Sequence, residues 1–222
     1  MLFRSCNPAL DIRIFDSPDQ TAVALAERVS TALADNPAVV LGLPTGRTPL
    51  PTYAELRRLH VAGRADFSRA TTFNLDEFAG VAAADPGSFR TFMDRHLFHA
   101  INLRPGRIRF LNGVAADLDA ECDHYEAAIA DAGGIDLQIL GIGANGHIGF
   151  NEPGDELTAR THRVALAEST RRDNAGLFGG DPARVPREAL SMGMGTILKA
   201  KTLILIATGA RKAQCVERTV LG

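Results

Sequence analysis

Residues 38–60 read AVVLGLPTGRTPLPTYAELRRLH, and the order of residue types in this stretch indicates the fold class. An apolar run of strand length comes first, a segment of turn-forming residues follows it, and the remaining residues have helical spacing. A strand, a loop and a helix therefore follow one another without a gap. This is the repeating unit of an α/β domain with a parallel sheet.

The same alternation continues on both sides of this stretch. Helical spacing predicts helices over residues 19–35, 88–98 and 117–133. Apolar runs bounded by Gly, Pro and Asn predict strands over residues 70–78, 107–113, 135–143, 161–167 and 201–209, with helical segments between and after the last two. The sequence therefore predicts a mostly parallel sheet flanked by helices in three layers, formed by residues 1–222 as a single domain.

The composition excludes several classes of protein. Charged residues make up 23% of the chain and hydrophobic residues 45%, as in an ordinary soluble domain. A net charge of -2 and an isoelectric point near 6.3 give no basic field for nucleic acid. The N-terminal residues 1–16 lack the uninterrupted apolar core of a secretory signal, and no apolar run is long enough to span a membrane. We expect a cytoplasmic protein that acts on a small molecule.

The three cysteines, Cys6, Cys122 and Cys215, are odd in number and far apart. No C-x-x-C pair occurs, which argues against both a disulfide framework and a zinc knuckle. We predict three inert thiols in a reducing compartment.

Polar residues directly follow four of the apolar runs. The segments are PTGRT at residues 44–48, NLDE at 74–77, GANGHIGFNE at 143–152 and TGARK at 208–212. In open parallel sheets, ligands bind at the carboxyl ends of the strands. We therefore expect these four segments to form the functional site.

The third segment contains a G-x-G-x-x-G pattern formed by Gly141, Gly143 and Gly146, with Glu168 about 20 residues further on. This resembles a dinucleotide-binding fingerprint. That fingerprint requires a helix to begin inside the glycine loop. Here glycines and Pro153 occupy the positions where the helix would run, so the pattern argues against a dinucleotide site.

A long non-helical loop that carries His147 and Glu152 at a strand end suits acid–base chemistry instead. Histidine transfers protons near neutral pH, and a carboxylate on its other nitrogen fixes its tautomer and orientation. The structural alternative is that His147 caps a turn and that Glu152 is a solvated loop residue.

Several longer motifs resemble the glucosamine-6-phosphate deaminase family, in order from about Val39 to Lys212. These motifs are LGLPTGRTPLPTY, TTFNLDEFAG, SFRTFMDRHLF, LNGVAADLDAECDHYE and GIGANGHIGFNEPG. The resemblance implies a Rossmann-like α/β fold and conversion of glucosamine 6-phosphate to fructose 6-phosphate and ammonia. It also implies that neither a metal nor an organic cofactor takes part.

The resemblance gives roles to four residues. Asp76 would be the base that removes the proton from C2 of the open-chain sugar and helps carry it to C1. His147 would open the pyranose ring, and Glu152 would orient His147. Asn145 occupies a position that is Asp in some relatives, where it joins the relay. An amide orients a partner but holds no negative charge, so the relay would depend on Glu152.

The loop at residues 44–49 precedes a helix, and backbone N–H groups at such a helix start favour an anion. By the resemblance, Thr45, Gly46, Arg47 and Thr48 hold the sugar phosphate together with Lys212. From the residues alone, a glycine turn before a helix and a lysine near a strand end are usually a plain turn and a solvated side chain.

The chain departs from the family pattern in the distribution of its cations. Gly176 stands where the family commonly has a substrate-contacting Arg, and Arg47 stands where relatives often have Gly. Either one cation has moved from the segment around residue 176 to the phosphate loop, or the bound anion is not a phosphate. A solvated helix face is the favoured interpretation for Arg171 and Arg172.

The sequence also ends short of the C-terminal strand and helix that the resemblance would lead us to expect. Either the polypeptide is a truncated form or another element covers the sheet edge that these would have protected.

Two other functions fit the same architecture. A 6-phosphogluconolactonase-like hydrolase would activate water and would not need the base in NLDE. A sugar-phosphate sensor would keep the fold without turnover, and Asn145, Gly176 and the short C terminus make this conceivable.

The resemblance also allows a homo-oligomer, because some members are allosteric hexamers. In those members, hydroxyls after the catalytic loop and a basic pair on the next strand hold an activator phosphate. Asp155, Glu156, Val164 and Ala165 occupy the corresponding positions here. We therefore expect no activation by N-acetylglucosamine 6-phosphate.

Overall fold

The computed structural model of the protein describes residues 10–221. Its helices are α1 (Pro18–Asp35), α2 (Leu50–Val61), α3 (Phe89–His96), α4 (Leu118–Asp131), α5 (Glu168–Asn174), α6 (Met194–Leu198) and α7 (Ala213–Leu221). Its strands are β1 (Val40–Leu43), β2 (Thr71–Asn74), β3 (Asp76–Phe78), β4 (Ile108–Arg109), β5 (Leu137–Gly141), β6 (His162–Ala165), β7 (Glu188–Ser191) and β8 (Thr202–Ile206).

Side-chain caps fix where the longest helices begin. The Ser17 hydroxyl accepts a hydrogen bond from the backbone N–H of Gln20 and starts α1. The Asp117 carboxylate accepts from the backbone N–H groups of Asp119 and Ala120 and starts α4. Both helices therefore begin within one residue of the sequence prediction.

Five strands form a parallel sheet in the order β4-β2-β1-β5-β8. The strands that precede the four polar segments, β2, β1, β5 and β8, are consecutive neighbours in this order. Because all of them are parallel, their carboxyl ends meet at one edge, where the polar segments converge.

Two apolar clusters cover the two faces of this sheet. Leu41 and Leu43 of β1 point into a cluster that contains apolar residues of α1, α2 and α3. Val40 points to the opposite face, where α4 contributes Cys122, Tyr125 and Ile129. The predicted three-layer α/β architecture is confirmed.

The remaining strands form a second sheet that the sequence did not predict. It is antiparallel, with the order β3-β7-β6. Residues 70–78 were expected to be one strand, but Leu75 separates β2 in the first sheet from β3 in the second. The predicted strand over residues 107–113 was too long, because only Ile108 and Arg109 pair with β2.

Cys122 and Cys215 are buried free thiols, and Cys6 lies outside the described residues. Strand β8 forms one edge of the parallel sheet, where Leu203 and Leu205 are 38% and 37% exposed. Within residues 10–221, no helix has the length and apolarity required to cross a membrane.

Candidate active site

Asp76 lies at the junction of the two sheets, where the chain leaves β2 and enters β3. It is buried, and it pairs in the antiparallel ladder with Ser191 of β7. A Cβ atom at Gly149 would lie 3.5 Å from Oδ2 of Asp76. The segment after β2 and the loop after β5 therefore meet at this carboxylate.

The environment of Asp76 favours its neutral form. Burial, and secondarily the neighbouring Glu77, raise the pKa of Asp76 to about 8, while the Thr45 hydroxyl acts in the opposite direction. Oδ1 is buried without a hydrogen-bond partner among residues 10–221. A desolvated carboxylate of this kind is a stronger base, once it is ionised, than a carboxylate in water.

The adjacent acid, Glu77, has a different function. Successive residues of a strand point to opposite faces, so Glu77 turns away from Asp76 and towards α3. Its Oε1 accepts from the backbone N–H of Phe89 at 3.0 Å, and Oε2 accepts from that of Arg90 at 3.0 Å. Glu77 therefore caps the start of α3, the task that an isolated acid near a strand end usually has.

The loop after β5 is built around the ring of His147. A Cβ atom at Gly143 would lie 2.3 Å from Nδ1 of His147, so the ring occupies the space that a side chain at position 143 would need. The backbone N–H of Gly143 donates to the carbonyl of His147 at 2.8 Å and closes the turn. No helix lies between β5 and β6. The glycines therefore make room for an imidazole, and the helix required of a dinucleotide loop is not formed.

Glu152 faces His147 across this loop. Its Oε2 lies 3.8 Å from Nδ1 of His147 and accepts a hydrogen bond from Nδ2 of Asn145 at 2.6 Å. Its Oε1 accepts from the Thr170 hydroxyl at 2.7 Å. The structure thus brings the three predicted residues of the loop together and adds Thr170 of α5 to them.

Several groups influence the protonation of His147. Burial lowers its pKa, Glu152 raises it, Lys212 lowers it and Asp173 raises it. The net effect is a pKa below the usual value, so the imidazole is neutral at pH 7 and able to accept a proton. Nδ1 has no hydrogen-bond partner among the described residues.

Arg47 and Gly46 line a cavity of about 220 Å³ beside the first strand end. The end of α5 and the 3-10 helix that follows it also line this cavity, and α3 completes the lining. The residues involved are Asp173, Asn174, Gly176 and Leu177, with Phe89 and Phe92 of α3. Arg47 and Gly176, the two positions at which the chain departs from the family pattern, therefore border the same space.

The other predicted anion ligands, Thr45, Thr48 and Lys212, do not line this cavity. Thr45 faces Asp76, and Lys212 ends a short 3-10 helix close enough to influence His147. Thr48 is half-buried just before α2 and does not line the cavity. Among residues 10–221, no group of three or more His, Cys, Asp or Glu side chains is arranged to hold a metal ion.

Two further residues, which sequence reasoning missed, anchor the loop after β5 to the antiparallel sheet. The Ser191 hydroxyl accepts from the backbone N–H of Phe150 at 3.1 Å. Nδ2 of the buried Asn151 donates to the carbonyl oxygens of Met192 at 2.8 Å and Ile148 at 2.9 Å. The position of Asn151 between His147 and Glu152 in GFNEPG was the available signal for it, whereas nothing in the sequence points to Ser191.

Comparison with known proteins identifies a matching family and similar proteins. Residues 16–221 match the family described as glucosamine-6-phosphate isomerases/6-phosphogluconolactonase. The chain is 51% identical over 184 residues to glucosamine-6-phosphate deaminase 2 of Bacillus subtilis, covering 82% of this chain and 74% of that protein. It is 45% identical over 201 residues to glucosamine-6-phosphate deaminase 1 of Giardia intestinalis, covering 90% and 76% of the two chains.

Solved structures agree on the fold. A structure described as a monomeric glucosamine-6-phosphate deaminase superposes with a TM-score of 0.90 at 41% identity, covering 94% of this chain and 86% of the other. A 6-phosphogluconolactonase from Thermotoga maritima superposes with a TM-score of 0.70 at 19% identity over 92% of this chain and 86% of the other, which shows a shared fold alone.

Proposed function

Because the chain belongs to the family of glucosamine-6-phosphate isomerases and 6-phosphogluconolactonases, we propose that it catalyses an isomerising deamination. Glucosamine 6-phosphate and water would give fructose 6-phosphate and ammonia. The observation that carries the proposal is the presence of two separate groups able to transfer protons, at the carboxyl ends of β2 and β5, the strands on either side of β1. One is the buried carboxylate of Asp76 after β2, and the other is the His147–Glu152 pair after β5.

Ring opening comes first in this reaction. The neutral imidazole of His147 takes the proton of the anomeric hydroxyl and returns a proton to the ring oxygen, which breaks the C1–O5 bond and leaves an aldehyde at C1. The imidazolium formed in between carries a positive charge. Glu152 stabilises that charge, and the hydrogen bonds from Asn145 and Thr170 hold its carboxylate in place.

Transfer of hydrogen from C2 to C1 follows. Ionised Asp76 removes the proton from C2 while a proton from solvent reaches the aldehyde oxygen O1, which gives an enolamine. Return of the carbon-bound proton from Asp76 to C1 then leaves a protonated imine at C2. Water adds to this imine, and loss of ammonia gives the ketone. Burial supports the role of Asp76, because a desolvated carboxylate is more basic than one in water. A lactonase would hydrolyse an ester and would have no step that uses this base.

The terminal phosphate would lie at the loop before α2. Arg47 lines the cavity there, and its guanidinium offers a planar fork of N–H donors to a tetrahedral oxyanion. Gly46 allows the backbone to approach the anion, and Thr45, Thr48 and Lys212 contribute from the same end of the sheet. Arg47 would take the place of the cation that the family commonly carries at position 176.

An ammonia-release assay with glucosamine 6-phosphate tests the proposal, alongside its galacto epimer and a 6-sulfonate analogue. Enzymatic release of ammonia from the first compound is expected. The same preparation is assayed for hydrolysis of 6-phosphogluconolactone. Lactone hydrolysis without ammonia release would replace the deaminase by the lactonase, and tight binding without either product would identify a sensor.

The proposal includes a cytoplasmic location, which the buried thiols of Cys122 and Cys215 support because neither is in a disulfide. Light scattering of the purified protein distinguishes a monomer from a homo-oligomer.

A further inference from the structure

We infer that Thr170 is a positioning residue for ring opening, acting through its hydrogen bond to Glu152. This inference rests on the proposed function. Thr170 lies in α5 and is 3% exposed, and its Oγ1 donates to Oε1 of Glu152 at 2.7 Å. The Thr170 hydroxyl is hydrogen-bonded to Glu152 and Thr170 does not line the cavity, so we assign its effect on the reaction to the carboxylate.

The position of Glu152 depends on two neutral donors from different parts of the chain. Asn145, in the same loop, holds Oε2 at 2.6 Å, and Thr170, from α5, holds Oε1. A carboxylate with one oxygen held can still rotate about its last bond, whereas one with both oxygens held keeps its plane. Only the second arrangement keeps Oε2 directed at Nδ1 of His147, which lies 3.8 Å away.

Neutral donors have a further advantage over a cation at this position. A lysine or arginine beside Glu152 would compensate the negative charge that His147 requires as it becomes protonated. Threonine and asparagine fix the geometry and leave the charge intact. The side chain at position 145 therefore does not have to be an acid, provided that a second donor such as Thr170 completes the support of Glu152.

Two substitutions separate the hydrogen bond of Thr170 from the packing of its side chain. The side chain of Thr170 is buried, and a valine in its place fills nearly the same volume without a donor. Serine keeps the donor and loses a methyl group. The pair of substitutions therefore separates the hydrogen bond from the shape. A matched control is Thr196, whose Oγ1 donates to Oε1 of Glu126 at 2.6 Å outside the proposed site.

We expect Thr170→Val to lower kcat for the cyclic substrate about tenfold or more, with KM changed less than about threefold. A substrate analogue locked in the open-chain form should lose much less turnover. Thr170→Ser should stay within about threefold of the wild type, and Thr196→Val should not show the contrast between cyclic and open-chain substrates. Equal losses with both substrates, or loss in Thr170→Ser as large as in Thr170→Val, would overturn the inference.

A second measurement does not depend on activity. The titration of His147 is followed by NMR, with its signal identified by comparison with His147→Gln. The charged groups that act on this ring are Glu152, Lys212 and Asp173. Since Glu152 raises the pKa of His147, displacement of the carboxylate in Thr170→Val should move the titration to lower pH.

Thr170→Ser and Thr196→Val should leave the His147 titration in place. If Thr170→Val does not fold, Thr170→Ala serves in both measurements. An unchanged His147 titration in the valine or alanine variant would overturn the inference. The NMR result stands even if the wild type releases no ammonia, so failure of the proposed function and failure of the positioning role remain distinguishable.

Discussion

Arg47 and Gly176 border the same cavity, although they lie far apart in the sequence. We therefore predict that Arg47→Ala raises the KM for glucosamine 6-phosphate by more than tenfold. Loss of a hydrogen bond from a charged donor to an anion costs roughly 1.5 to 3 kcal/mol. Steady-state kinetics with the purified variant measure this, and an unchanged KM would mean that Arg47 remains in solvent.

The control for this prediction exchanges the two residues. A Cβ atom at Gly176 meets nothing within 4 Å, so the site has room for the first atom of a longer side chain. The double variant Arg47→Gly, Gly176→Arg should recover part of the affinity that Arg47→Gly alone loses.

Substitution of Asp76 should separate binding from chemistry. Asp76→Asn is nearly isosteric, but an amide does not accept a proton at neutral pH. We predict a loss of about two to four powers of ten in the rate of ammonia release, with ligand binding largely retained. Isothermal titration with the substrate and the ammonia assay test the two parts, and near-normal ammonia release would refute the assignment of the base.

The rate should depend on pH through the same residue. In the proposed reaction Asp76 acts as an ionised base, and burial raises the pKa of its carboxyl group to about 8. We expect kcat/KM to rise by about tenfold per pH unit below that value and then to level off. The pKa of His147 is lowered by burial, so the imidazole is already neutral at pH 7 and does not titrate near pH 8. If kcat/KM instead levels off near the ordinary pKa of an aspartate, about 4, the base is exposed to solvent.

Stability should change in the opposite direction from activity. Because the pKa of Asp76 is higher in the folded protein, its contribution to stability is present at low pH and is lost as the pH rises from about 4 to about 8. Asp76→Asn avoids this loss. We therefore expect the melting temperature of Asp76→Asn, relative to that of the wild type, to be higher at pH 8.5 than at pH 5. The same difference in melting temperature at both pH values would contradict the linkage.

His147→Gln should slow ring opening more than the later steps. Glutamine keeps a polar side chain but does not exchange protons near neutral pH. A substrate locked in the open-chain form should therefore restore part of the turnover in this variant. Equal losses with cyclic and open-chain substrates would exclude a ring-opening role.

We predict hyperbolic kinetics that N-acetylglucosamine 6-phosphate does not change. Asp155 and Glu156 are exposed in the loop after the site, where two carboxylates repel a phosphate dianion. On β6, the Arg163 guanidinium pairs with Glu188 at 2.6 Å, so its charge is already compensated. Substrate titrations with and without the acetylated sugar phosphate test this, and a sigmoidal curve that becomes hyperbolic on addition would contradict it.

The sequence predicted the central sheet because its strands carry local signals. Residues 38–60 and 135–143 contain uninterrupted apolar runs followed by turn residues, and the structure forms β1 and β5 within them. The polar segments after these strands converge because parallel neighbours end at one edge. His147, Asn145 and Glu152 follow one strand, β5, within eight residues, so their proximity could be predicted from a single loop.

The antiparallel sheet was missed because its pairing is not local. The partner of β3 is β7, whose residues Glu188, Ala189, Leu190 and Ser191 are mostly weak strand formers. Thr170 was missed for a related reason, since its contact with Glu152 depends on how α5 packs against the loop. Periodicity along the chain contains no information about such contacts.

Helix α5 has a consequence for attempts to redesign the enzyme. It presents Thr170 to Glu152 and, near its end, Asp173 and Asn174 to the cavity that Arg47 borders. We therefore expect that substitutions in α5 made to accept a substrate with a different terminal anion also disturb the proposed ring-opening pair of His147 and Glu152. Their effects on the rate would not add to those of substitutions at Glu152. Variants of α5 should therefore be selected for altered substrate preference and for retained turnover in the same library, instead of one property after the other.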